Sequence, residues 1–258
     1  MTGAGVENFP AVERILRTLL DRVRQVLGDQ FVGMYVYGSL SSGDFDEASS
    51  DVDFLVVTRS ELHAGQLSRL AAMHAEIKDS GAPFTGLLEG SYIPVGAMRR
   101  HDPANSHHPS IGVDWEFGVR EHGWNWVLER DNILRSGYAL TGPAPSALID
   151  PVGPEELKTA VRKVLDEFWA RIGKPDWLEL AAYQAFVILT MCRALYTLDT
   201  GEQATKPRAA QWAAGALGEP WRDHIEWALT HRHDFTPHDP AVAYEFIDHV
   251  LRSVPGDQ

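Results

Sequence analysis

The chain has 258 residues and a formal charge of −13, from 36 acidic against 23 basic side chains; its field repels polynucleotides and anionic membranes and draws in cations and cationic ligands. That length, with an apolar content of 44%, supplies one large core or two ordinary ones, while a single cysteine, Cys192, excludes a disulfide framework and fits a reducing compartment. Residues 1–9 lack a basic segment followed by an apolar run, and no stretch approaches the roughly 18 apolar residues of a membrane span, so the expectation is a cytoplasmic protein with neither membrane nor nucleic acid as partner.

Val12, Ile15, Leu16, Leu19, Leu20, Val23 and Leu27 recur at helical spacing and Gly28 stops the pattern, which predicts an opening amphipathic helix. Residues 31–37 (FVGMYVY) read as a strand that ends at Gly38-Ser39 and gives way to the polar, flexible run LSSGDFDEASS. A second strand is expected over 51–58 (DVDFLVVT), weak helical periodicity follows over 61–78, and 84–94 (FTGLLEGSYIP) reads as a third strand. His, Pro, Asn and Ser dominate 101–112 without periodicity, which predicts a long surface loop. Residues 124–134 look helical and 136–141 form a short returning strand. The breakers Gly142-Pro143-Ala144-Pro145 are the candidate linker, dividing the chain into residues 1–145 and 146–258.

Beyond Pro154 the pattern turns helical: Leu157, Val161, Val164, Leu165 and Phe168 make one face behind Glu155 and Glu156 in the first turn. Further helices are expected over 183–198, 207–217 and 221–229, and Val242, Phe246, Ile247, Val250 and Leu251 mark a last one. The predicted architecture is an α+β domain, a small mixed sheet flanked by helices, followed by an all-α helical bundle.

The chemistry-bearing pattern is Gly38-Ser39, eleven intervening residues, then Asp51-Val52-Asp53, with an apolar strand on either side. Residues two apart on a strand share a face, so Asp51 and Asp53 project together, and two such carboxylates beside a core are costly without a cation between them. Mg²⁺ suits that donor set, because hard cations take carboxylates, waters and phosphate oxygens. Gly38 permits close backbone approach, and amides there with Ser39 Oγ offer donors to triphosphate oxygens. Either fragment alone is an ordinary turn or a solvated strand edge; their spacing and apolar flanks make the pair a candidate site.

YGSLSSGDFDEASSDVDFLVV resembles the nucleotidyltransferase superfamily, whose pattern is Gly-Ser followed about nine to thirteen residues later by Asp-x-Asp on a strand. The resemblance implies a third carboxylate on a neighbouring strand that completes the metal site or acts as base, and Glu89 in LLEGSYIP is the candidate. LTMCRALYTLDTGEQATKPRAAQWA (residues 189–213) resembles the helical domain of the streptomycin/spectinomycin adenylyltransferases, so the likeness covers nearly the whole chain. It implies ATP as co-substrate, nucleotide and acceptor bound between the two domains, and Arg193 and Lys206 reaching the nucleotide phosphates. Such basic groups make physical sense, since an acidic protein must supply positive charge locally to hold a triphosphate.

The match departs upstream of Arg193. Drug-modifying relatives carry an asparagine and an acidic residue there that meet nucleotide and drug; ungapped counting places Phe186 and Tyr183 at those positions, so the contacts are missing or come from Gln184 or Glu179. Glu179 and Tyr183 are therefore candidate acceptor contacts. Trp115, in GVDWEF, resembles an aromatic residue lining the acceptor pocket. His107-His108 and the group His231, His233, His238 lack the tight ligand spacing of a transition-metal site.

The expected reaction is Mg²⁺-dependent transfer of AMP from ATP to an acceptor hydroxyl. Asp51 and Asp53 hold the metal, Gly38-Ser39 cradle the β- and γ-phosphates, and Glu89 serves as ligand and base. The acceptor expected from the resemblance and from the acidic balance is a small cationic molecule, an aminoglycoside or aminocyclitol such as streptomycin or spectinomycin, acted on by a monomer. A protein or another metabolite as acceptor, and a catalytically inactive nucleotide-binding protein, are the alternatives.

Overall fold

The computed structural model describes residues 6–254, and the chain divides into two compact units, Met1–Pro151 and Val152–Gln258. The first unit is built on one sheet of β1 (Phe31–Val36), β2 (Val52–Thr58), β3 (Leu88–Pro94), β4 (His107–Gly112), β5 (Trp115–Glu121) and β6 (Tyr138–Thr141) in the order β5-β4-β3-β2-β1-β6. β2 and β3 run parallel, joined through α3 (Ala64–Asp79), while β1 pairs antiparallel with β2 and β6, and β3, β4 and β5 follow one another antiparallel.

Alternation along the strands sorts the side chains into two layers. Met34, Val36, Phe54, Val56 and Tyr92 lie beneath α1 (Pro10–Leu27) and α3, against Leu16, Leu19, Val23, Leu70 and Met73. Tyr35, Tyr37, Leu55, Val57 and Ile93 face the other way, where α4 (Val95–Met98), α5 (Asn125–Arg135) and α6 (Pro145–Leu148) contribute Ala97, Met98, Trp126, Ile133 and Leu148. The run Phe54–Val57 is 0–1% exposed, and burying such side chains stabilises by roughly 1.5–3 kcal/mol each. A register slip of one residue would exchange the two layers and carry Asp53 to the face of α1 and α3, so the packing of each layer fixes which way Asp53 points.

Three sequence expectations are corrected here. Residues 101–112 are not one loop: β4 occupies 107–112 and forms a hairpin with β5, His108 opposite Arg120 and Pro109 opposite Val119. Apolar periodicity misses this strand because polar His108 and Ser110, 1% and 5% exposed, are buried in it beside Pro109 and Gly112, and His108 Nε2 pairs with the Asn105 carbonyl at 3.0 Å. The third strand starts at Leu88 rather than Phe84, which sits in a turn with φ 65°. The run after Gly38-Ser39 is in part helical, as α2 (Gly38–Ser42) ends on Gly43 at φ 79°.

The second unit is helical: α7 (Pro154–Glu167), α8 (Ala181–Thr200), α9 (Lys206–Leu217), α10 (Trp221–Thr230) and α11 (Ala241–Ser253). α8 is its centre, with Ala185, Val187, Ile188, Leu189, Met191 and Cys192 0–1% exposed and packing against the other four helices. Burial pushes the Cys192 thiol up to about 12, which makes it an inert core group. By length and composition alone α8 is long and apolar enough to cross a membrane, and 61% of that stretch is buried within the fold, as in the core helix of a helical unit.

Candidate active site

The acid-bearing edge lies where β1 ends and β2 and β3 begin. Parallel pairing sets Asp53 opposite Glu89, and the period of two puts Asp51, Asp53 and Glu89 on the sheet face that carries Leu55 and Ile93. One carboxylate oxygen from each of the three lies within 4.8 Å of the others, each side chain partly buried, a spacing that could hold a metal ion. Burial first, then the charge of Asp51 and that of Asp114, pushes the Glu89 carboxyl up to about 7, against the pull of the Val113 backbone N–H that donates to it. Val113 and Asp114 form the β4–β5 turn, so the unforeseen hairpin is what encloses Glu89.

Gly38 is required twice over. Its φ is 70°, in the left-handed region, and a Cβ there would overlap the Asp53 carboxylate. The Tyr37 amide donates to the Asp53 carbonyl at 3.4 Å, tying the turn to the Asp-bearing strand. Ser39 Oγ is buried and has no hydrogen-bond partner among the described residues, the expected state of a donor whose partner is a ligand.

Trp115 opens β5, 36% exposed. Its indole covers Gly112, where a Cβ would strike it, and the Arg120 guanidinium carbon lies 5.4 Å from the ring centroid. Two further residues belong to this edge and escaped the sequence reading. Tyr37, 7% exposed, precedes Gly38, and its hydroxyl lies 3.5 Å from Glu129 Oε2 on α5. Burial, followed by the charges of Glu129, Asp53, Glu89 and Asp51, holds the Tyr37 phenol well above its usual value. Glu129 is pushed up to about 8 by burial and then by Glu89, with the Tyr37 bond acting the other way. The available signal was a lone carboxylate on the helical stripe of Trp126 and Ile133.

The remaining candidates lie in the second unit. Arg193 on α8 donates from Nε to the Ala204 carbonyl at 3.1 Å, in the connection that leads to Lys206 at the start of α9. The Lys206 ammonium stands 5.1 Å from the centroid of Phe186, which is 44% exposed. Tyr183 packs edge-on between Trp177 and Phe235 at 5.6 and 5.9 Å. Glu179 is exposed, and its carbonyl accepts from the His238 amide at 2.7 Å. Gln184 Nε2 donates to the Leu178 and His238 carbonyls at 3.0 and 2.9 Å, so its amide is committed to holding two loops together.

Residues 16–82 match the family model of the nucleotidyltransferase domain, and residues 147–252 that of the aminoglycoside adenylyltransferase C-terminal domain. The chain thus carries a segment matched by the nucleotidyltransferase domain model in its first unit. Its second unit matches the domain named for the aminoglycoside adenylyltransferases, and curated relatives bear the same name. The chain is 26% identical over 220 residues to the aminoglycoside (3'') (9) adenylyltransferase of Klebsiella pneumoniae, covering 76% of this chain and 75% of the relative. With the spectinomycin 9-adenylyltransferase of Staphylococcus aureus it shares 28% over 207 residues, covering 76% and 75%. The crystal structure of spectinomycin adenyltransferase AAD(9) from Enterococcus faecialis, with ATP and spectinomycin, has the same fold, with a TM-score of 0.73 over 92% of this chain and 98% of that one, at 17% identity.

Proposed function

We propose that the chain transfers AMP from ATP to a hydroxyl of an aminoglycoside or aminocyclitol antibiotic such as streptomycin or spectinomycin, and so confers resistance. The observation that carries this reading is the Asp51–Asp53–Glu89 cluster, with oxygens within 4.8 Å, behind a turn whose Ser39 hydroxyl has no partner among the described residues. Like charges that close call for a divalent cation, and the all-oxygen donor set matches Mg²⁺. When bound there, Mg²⁺ neutralises charge on the triphosphate during transfer.

The chain's own residues do the rest. Asp51 and Asp53 would hold the ion beside Glu89. The Gly38–Ser39 amides and Ser39 Oγ donate to phosphate oxygens. Glu89 Oε accepts the proton from the acceptor hydroxyl as its oxygen attacks the α-phosphorus and pyrophosphate departs in line. Arg193 and Lys206 serve the charge of the departing pyrophosphate. Trp115, Glu179 and Tyr183 contact the acceptor. The reading takes the chain as a monomer working in the cytoplasm, with neither nucleic acid nor membrane as partner.

Incubation of the protein with ATP, Mg²⁺ and an aminoglycoside panel, read by mass spectrometry against Asp51→Ala/Asp53→Ala, tests it. One AMP gained by streptomycin or spectinomycin with wild type alone is expected. No adduct on any drug, despite measurable Mg-ATP binding, would overturn the acceptor assignment.

A further inference from the structure

Four carboxyl groups and one phenol meet at the acid-bearing edge of the first unit, and the reaction above uses three of them. The fourth, Glu129, comes from α5. On that helix Trp126, Glu129 and Ile133 fall on one stripe, spaced by three and four residues, and Trp126 and Ile133 are buried at 3% and 0% in the cluster that contains Tyr35 and Tyr37. Glu129 thus occupies an apolar position of the stripe where the helix passes the end of β1. Its Oε2 lies 3.5 Å from the Tyr37 hydroxyl, the long limit of a hydrogen bond, so neither group is held tightly by the other.

The charges acting on this pair are of one sign. Tyr37 feels Glu129, Asp53, Glu89 and Asp51, and Glu129 feels Glu89. A cationic nitrogen is matched to such a corner. Of the three cluster carboxylates, Glu89, the group assigned to the acceptor hydroxyl, is the one whose charge acts on Glu129.

We propose that Glu129, with the Tyr37 hydroxyl beside it, is a specificity group that receives a protonated nitrogen of the acceptor next to the hydroxyl that Glu89 deprotonates. This rests on the reading of the acceptor as an aminoglycoside or aminocyclitol. Steady-state kinetics with spectinomycin and streptomycin as probes, on wild type, Glu129→Gln, Glu129→Asp and Tyr37→Phe, tests it. Glu129→Gln removes the carboxyl that a bound cation would ionise and raises the acceptor KM by about tenfold or more, as loss of a charged hydrogen bond predicts, while the KM for ATP stays within about twofold. Tyr37→Phe gives a smaller rise in the same parameter, and Glu129→Asp, which keeps the charge on a shorter arm, falls between wild type and Glu129→Gln. An acceptor KM unchanged in Glu129→Gln, with loss confined to kcat or thermal stability, would make Glu129 a packing residue and overturn the inference. Equal acceptor KM values for Glu129→Asp and Glu129→Gln would overturn it too, since charge would then be irrelevant. A wild type that modifies neither probe defeats the acceptor reading itself, and this inference with it.

Discussion

Gly38 and Glu89 are the two residues whose replacement separates backbone geometry from chemistry. A side chain at Gly38 meets both a left-handed φ of 70° and the Asp53 carboxylate; the conformational part alone costs about 1–2 kcal/mol. Gly38→Ala is therefore expected to lower the unfolding free energy by about 1–3 kcal/mol in a urea titration and to displace the Asp53 carboxylate, with turnover falling at least about tenfold. Glu89→Gln keeps the size and removes the proton acceptor. Its kcat for AMP transfer should fall by roughly 10²–10⁴, while ATP affinity by calorimetry changes little; unchanged turnover would remove Glu89 from the role of base. Asp53→Asn relieves repulsion at the cluster. It should raise the melting temperature of the ligand-free protein while abolishing the Mg²⁺-dependent part of ATP binding, a stability gained where function is lost.

Among the elements, α3 and β3 meet through a buried polar contact that makes the first unit acid-sensitive. His74 on α3 is 3% exposed, its Nε2 lies 2.7 Å from the Tyr92 hydroxyl on β3, and Nδ1 has no partner among the described residues. Burial lowers its value from 6.5 to about 4. The folded state then stays neutral while the unfolded chain takes up a proton, so the contribution is complete above about pH 6.5 and is lost as pH falls towards 4, by up to about 3 kcal/mol. Denaturant titrations at pH 7.5 and 5 should show this decline, and His74→Phe/Tyr92→Phe, which removes both polar groups, should flatten it; an unchanged slope would locate the acid sensitivity elsewhere. The β4–β5 hairpin is the other element with a consequence, because its turn supplies the Val113 N–H to Glu89. Polar pairing around it, including the 2.8 Å contact of Ser91 Oγ on β3 with His122 Nε2 just past β5, does the work that apolar alternation does in β2.

At the scale of the whole molecule, the acidic balance and the clustered carboxylates make ligand and fold interdependent. Mg²⁺ with ATP at about a hundred times its dissociation constant should stabilise the protein by roughly 2.7 kcal/mol, and ATP with chelator much less, in thermal-shift measurements; equal shifts with and without metal would separate nucleotide binding from the acid cluster. The positions of the regular elements were legible in the chain because helical periodicity, β-branched runs and Gly or Pro breakers act over a few residues: α7 to α11 and β1, β2 and β6 lie within a few residues of where the pattern puts them. Gly38-Ser39 and Asp51-x-Asp53 were likewise legible, as a turn and one face of one strand. Glu89 entered only through resemblance, since nothing local says that a strand beginning at Leu88 runs parallel to β2 with Glu89 beside Asp53. Glu129 left only the trace of a carboxylate on an apolar helical stripe, and the roles of Tyr37 and the Val113 amide were not legible. Their meeting depends on sheet order, on a helix laid across the sheet and on a hairpin held by buried polar groups, and these are settled by core packing between segments up to about ninety residues apart, where side-chain periodicity carries no information.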